Sequence, residues 1–120
     1  MKRLILAFIL FLLLLPAAGM AAGIEGVYAC NGTNPGGGGS YQGTLAIIQN
    51  GDAYNVTWNI GAQTYVGVGL LQGDSFSVGY SDVKKSWFGV VVYKVSGNTL
   101  KGIWTMQGGS KTGTETLTKK

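Results

Sequence analysis

The side chains that could do chemistry in this 120-residue chain are few: Glu25, Asp52, Asp74, Asp82 and Glu115, the single thiol of Cys30, and no histidine at all. Acid–base catalysis needs titratable groups placed as a pair, and no two of these carboxylates fall in such a context. Asp52 and Asp74 follow Gly51 and Gly73, where aspartate is ordinary turn chemistry. Glu115 stands isolated among threonines. A serine or thiol nucleophile needs a base, and neither the serines nor Cys30 have a histidine to serve them. A metal site would need ligands that this sequence lacks. The glycine run at 36–39 is not a phosphate loop, because no Lys-Ser/Thr pair and no helix follow it. The sequence therefore predicts a non-enzymatic protein that calls for no cofactor.

The aromatic residues carry more information. Trp58 lies nine residues before Gly67, Tyr80 nine before Gly89, and Trp104 nine before Gly113. The second member of each unit reads Tyr65-x-Gly67, Trp87-x-Gly89 and Lys111-x-Gly113, and an earlier copy reads Tyr41-x-Gly43 after Tyr28. The repeat of 22 to 24 residues is a hairpin used four times. Short alternating runs rich in Gly, Thr, Val and Tyr, parted by turn residues, are the signature of strands. Eight strands are predicted, over 24–31, 41–49, 53–59, 64–71, 75–80, 87–95, 99–105 and 111–118.

The connections between these strands fall in two alternating classes. Those at 50–52, 72–74 and 96–98 are tight and centred on glycine. Those at 32–40, 60–63, 81–86 and 106–110 are longer. In an up-and-down meander the two classes lie at opposite ends. Closing eight strands into a barrel removes exposed edges, so an all-β, eight-stranded antiparallel barrel is expected, with a two-sheet sandwich as the alternative. Gly43, Gly67, Gly89 and Gly113 then mark bends over which a ring of the adjacent strand can lie.

Tyr28, Tyr41, Trp58, Tyr65, Tyr80, Trp87 and Trp104 are expected to gather at the longer-loop end. Either they plug that end, which is the favoured expectation, or Tyr41, Trp58, Tyr65, Tyr80, Trp87 and Trp104 wall a mouth for a small apolar or aromatic ligand. Equal spacing predicts Trp58 opposite Tyr65 and Tyr80 opposite Trp87. In that register Val66, Val68, Leu70, Phe88, Val90 and Val92 point outward, flanking a groove floored by Ser75, Ser77 and Gly79. Such a patch suits a protein partner or a second copy of the chain.

The first 22 residues read as a leader. Lys2 and Arg3 precede the apolar run 4–15, and small residues from Pro16 to Ala22 follow. That run is short of the ~20 residues that span a bilayer, so cleavage near Ala21 or Ala22 is expected rather than a membrane anchor. Val27-Tyr28-Ala29-Cys30 lies too far from the apolar run to serve as a lipidation box. The expected products are a single domain over 23–120, export to the periplasm or beyond, and no stable membrane insertion. Without Lys2 and Arg3, seven basic residues face five acidic ones, a net charge of +2 that argues for no nucleic-acid partner. Cys30 shares strand parity with Tyr28 and is expected to be a buried thiol.

The pieces Gly89-Val90-Val91-Val92-Tyr93-Lys94, Leu100-x-Gly102-x-Trp104-Thr105 and Gly113-Thr114-Glu115-x-Leu117 resemble a family of small exported bacterial proteins often labelled fibronectin-binding. The resemblance covers nearly all of the mature chain, with Cys30 a departure from the pattern. It implies adhesion to a protein or extracellular-matrix surface, which is the leading functional expectation. The hairpin plan also resembles avidin and lipocalin-type barrels, which implies a small-ligand carrier as the alternative. A periplasmic enzyme inhibitor is a third reading that no particular residue supports.

Overall fold

A computed structural model describes residues 23–120, so the expected leader over 1–22 lies outside the described residues. The chain forms eight strands: β1 (Gly26–Thr33), β2 (Ser40–Asn50), β3 (Ala53–Ile60), β4 (Gln63–Gln72), β5 (Ser75–Asp82), β6 (Phe88–Ser96), β7 (Thr99–Met106) and β8 (Gly113–Lys119). Each pairs antiparallel with the next, and β8 returns to β1, giving a closed barrel. Every strand has two neighbours, so none presents a free edge to a second chain. A single 3-10 turn over Pro35–Gly37 interrupts the β1–β2 loop.

Strict alternation builds the interior. Leu45 and Ile47 on β2, Tyr54, Val56 and Trp58 on β3, Phe76 and Val78 on β5, and Val91 and Tyr93 on β6 all point inward and are buried. Cys30 follows its parity into the core as a free thiol. Outside, the barrel has two unlike halves. Thr114 and Thr118 on β8, Asn31 on β1, and Asn55 and Asn59 on β3 make one half mostly polar, with Val27 and Ile48 its exposed apolar side chains. On β4, β6 and β7, Val68, Leu70, Phe88, Val90, Val92 and Ile103 leave the other half apolar, with Leu70 63% exposed.

Three expectations about the backbone need correction. The β3–β4 connection is not a longer loop: Ile60 pairs with Gln63, and Gly61 at φ 60° completes a two-residue turn. Tyr80 does not face Trp87 across the β5–β6 hairpin but pairs with Gly89. The reason is Asp82, whose carboxylate accepts from the Ser86 amide at 2.8 Å and the Ser86 hydroxyl at 2.5 Å. That closure extends β5 to Asp82 and shifts the pairing by two residues. Trp58 does face Tyr65, as the spacing predicts. Lys111 is no counterpart of Tyr65 or Trp87, because β8 begins only at Gly113.

The glycine and ring pairs are real at three of the four positions. A β-carbon at Gly89 would collide with the ring of Tyr80 and the carbonyl of Thr105, and one at Gly113 with Trp104 and the carbonyl of Thr33. Gly67 lies under Trp58. Gly43 meets no ring, only the Asn59 carbonyl and the backbone and side chain of Ile60, so there the bare backbone serves strand packing.

Candidate functional site

At the end of the tight turns, the interior is filled. Tyr54 packs edge-on against Phe76 at 5.5 Å, and Phe76 stacks on Tyr93 at 6.1 Å. Leu100 faces Leu117, and both are fully buried. Ile24, just ahead of β1, is buried and accepts a 2.6 Å hydrogen bond from the Tyr28 hydroxyl. Tyr28 therefore belongs to this closed end and not to the loop end where the sequence pattern placed it.

The loop end is hollow. A cavity of about 340 Å³ opens there, lined by Tyr41, Trp58, Tyr65, Tyr80, Trp87 and Trp104, with Asn34, Ile60, Val91, Met106 and Glu115 completing it. The expected plug is thus a mouth. The rings prop one another around the hollow without filling it. Trp58 lies 5.5 Å from Tyr80, Tyr80 5.9 Å from Trp87, and Trp87 5.8 Å from Tyr65. Tyr41 and Trp104 meet edge-on at 6.2 Å. Most of these rings hold their polar edges against protein. The Tyr80 hydroxyl donates to the Thr105 carbonyl at 3.1 Å, and the Trp104 indole to the Thr114 carbonyl at 3.3 Å.

Glu115 is the residue that sequence reasoning missed. It stands on β8 between inward-facing Gly113 and Leu117, 4% exposed, at the boundary between the filled and hollow parts. Three donors converge on its carboxylate. The Tyr41 hydroxyl donates to Oε1 at 2.8 Å, and the Trp58 indole to Oε2 at 3.1 Å. The Tyr93 hydroxyl also donates to Oε2. A buried carboxylate is costly unless its oxygens are hydrogen-bonded, and these are. The signal was available: strand parity with Leu117 puts Glu115 inside.

The environment of Glu115 shows in its neighbours. Burial, and then the nearby carboxylate, push the Cys30 thiol well above its ordinary range. The same two causes, in the same order, raise the hydroxyls of Tyr41, Tyr93 and Tyr80. These groups are held in their protonated, donating forms.

Among solved structures the chain is similar to a redesigned β-barrel, at 18% identity and a TM-score of 0.70, over 81% of this chain and 91% of the other. It is similar to a de novo designed fluorescence-activating β-barrel, at 9% identity and a TM-score of 0.62, over 80% and 93%. A third likeness is to secretory abundant heat soluble protein 4 from Ramazzottius varieornatus, at 14% identity and a TM-score of 0.50, over 81% and 94%. The fold is shared. No protein-family model and no curated protein sequence matches the chain, so the resemblance to fibronectin-binding-labelled proteins gains no support from either comparison.

All six ring residues expected at a mouth are brought together at this one cavity. The expected outer groove also forms. Val68 pairs with Gly79, Gly79 with Val90, and Ser77 with both Leu70 and Val92. With Ile103 these residues line a shallow outer hollow of about 580 Å³. Phe88 is exposed beyond its rim, and Val66 is half-buried and outside it.

Proposed function

We propose that this protein is an exported, non-enzymatic barrel that binds a small ligand in its loop-end cavity. One observation carries the reading: aromatic walls surround an open hollow that contains a single buried, hydrogen-bonded carboxylate. Ligand sites are typically concave and mostly apolar, with a few placed polar groups, and this cavity lies within their usual volume of about 300–1,000 Å³. An eight-stranded barrel is about the smallest whose interior can hold one such molecule.

Native mass spectrometry of protein purified gently from its own cells tests the reading. The expected result is a retained mass that denaturation releases. Repeated preparations carrying no added mass would count against it.

A second reading keeps one observation in its favour. The outer hollow between β4, β5, β6 and β7 is aliphatic, exposed and continuous, as a surface for a protein or matrix partner would be. Nothing in its chemistry favours fibronectin over another partner, and no residue speaks for an enzyme inhibitor.

A further inference from the structure

Taking the cavity as a ligand site, we propose that it selects organic cations, of the alkylated-ammonium class, over neutral or anionic ligands of similar size. The first ground is charge. Glu115 is the one formally charged residue lining the cavity, and no lysine or arginine does so. Histidine is absent from the whole chain. Among the described residues the one ion pair is Lys94 with Asp74, on the outer surface. Lys111 lies against Gly36 of the first loop and outside the lining. The three donors to Glu115 are neutral, so they satisfy its oxygens without supplying a counter-charge.

The second ground is what the walls offer. An aromatic ring is negative on its face and positive at its edge. Tyr41 and Trp58 spend their edge donors on Glu115, and Tyr80 and Trp104 spend theirs on backbone carbonyls. The ring faces not laid against a neighbouring ring or glycine are left for a ligand. Ring faces bind cations, and an aromatic cage is the usual receptor for quaternary ammonium groups. An anionic ligand would meet the Glu115 charge and few free donors.

The third ground separates one kind of cation from another. A carboxylate has about four lone-pair positions. Three are occupied here, and the Cys30 thiol lies beside the group. Glu115 therefore keeps its field but has almost no acceptor capacity left. A primary ammonium brings three N–H donors that would go unpaired in the apolar hollow. A quaternary ammonium brings charge and no donor, and it sheds water more readily.

The test uses residues 23–120, which form the closed barrel, titrated with benzyltrimethylammonium, benzyl alcohol and phenylacetate. Tryptophan fluorescence and calorimetry read the affinities. The expected result is that the cation binds about tenfold tighter than either comparator or better. Glu115→Gln should bring the three within about threefold of one another. Circular dichroism checks that the variant folds. Trp87→Leu, which removes a ring face and leaves the charge, should weaken the cation more than the alcohol. Equal affinity for cation and alcohol in the wild type, or preference for phenylacetate, would overturn the cation inference and leave the cavity reading standing. Binding of none of the three would also overturn it. That result together with no retained ligand in the native mass spectrum would overturn the cavity reading as well.

Discussion

At the tight-turn end of the barrel Tyr54, Phe76 and Tyr93 pack into a sealed core, while at the loop end Tyr41, Trp58, Tyr65, Tyr80, Trp87 and Trp104 stand around a hollow. The residue types are much the same, and the connections make the difference. At the tight end short turns draw the strands together, and Ile24 folds in ahead of β1. At the loop end the β1–β2, β5–β6 and β7–β8 connections are longer, and Asn34 and Trp87 from the first two stand at an open rim. There the rings lean on the rim, each over a neighbouring ring or a glycine. Aromatic content therefore does not distinguish core from site. What does is whether the side chains leave a hollow between them, and whether a polar group lies among them with its bonds aimed inward.

Truncation should separate the two ends most strongly. Phe76→Ala, at a position with no solvent exposure, is expected to cost about 4 kcal/mol. Trp87→Ala, at the half-buried rim, is expected to cost only ~1 kcal/mol. Urea unfolding of the two variants checks this. Equal losses would mean the loop end is packed like the other.

Glu115 sits where the ends meet, and its loss comes next. Glu115→Ala leaves the Tyr41, Trp58 and Tyr93 donors without their acceptor, at an expected cost of about 3 kcal/mol. A wild-type melting temperature in this variant would show that the network contributes no stability. Gly89→Ala tests the ring-over-glycine arrangement of the rim. Its β-carbon would collide with the Tyr80 ring, and overpacking of this kind should cost about 2 kcal/mol. Gly79→Ala, which meets open space, should come out near neutral in the same assay.

The boundary network also sets the alkaline limit. Burial and the Glu115 charge raise the Cys30 thiol and the Tyr93 hydroxyl in the fold above their ordinary values of 9.0 and 10.0. In the unfolded chain these groups lose their protons at the ordinary values, and in the barrel they keep them. The folded state then binds more protons, so stability falls as pH rises. It is fully present below about pH 9 and declines above it, by about 1.4 kcal/mol per pH unit for each group once past its ordinary value. Thermal melts from pH 7 to 11 check this, and a flat profile would contradict it. The smallest effect is expected outside. Val68→Lys with Val90→Lys should change stability by less than about 1 kcal/mol and leave cavity binding intact, because both side chains are exposed. Lost self-association in that variant would instead mark the outer hollow as an interface.

Much of this was legible in the chain. Alternation fixes which residues face inward, and it placed Cys30, Phe76 and Tyr93 correctly. The spacing of Trp58 and Tyr65 gave the β3–β4 register, because a two-residue turn leaves no slack. The same spacing failed at Tyr80 and Trp87, because the Asp82 carboxylate closes the loop and moves the pairing to Gly89. That is side-chain chemistry which strand periodicity does not carry. Glu115 looked isolated because its partners lie 22 to 74 residues away in sequence. Closure of β8 onto β1 brings Tyr41 and Trp58 to it, while Tyr93 reaches it across β7 by way of Gly102.

Acrylamide quenching of tryptophan fluorescence tests the open loop end most directly, since all three tryptophans line the cavity. Trp87 and Trp104 are partly exposed and Trp58 is only 4% exposed. The predicted result is a strongly quenched fraction beside a shielded one, with a cavity ligand protecting the first. Uniformly weak quenching would mean that the loop end is sealed, and it would contradict the cavity on which the proposed function rests.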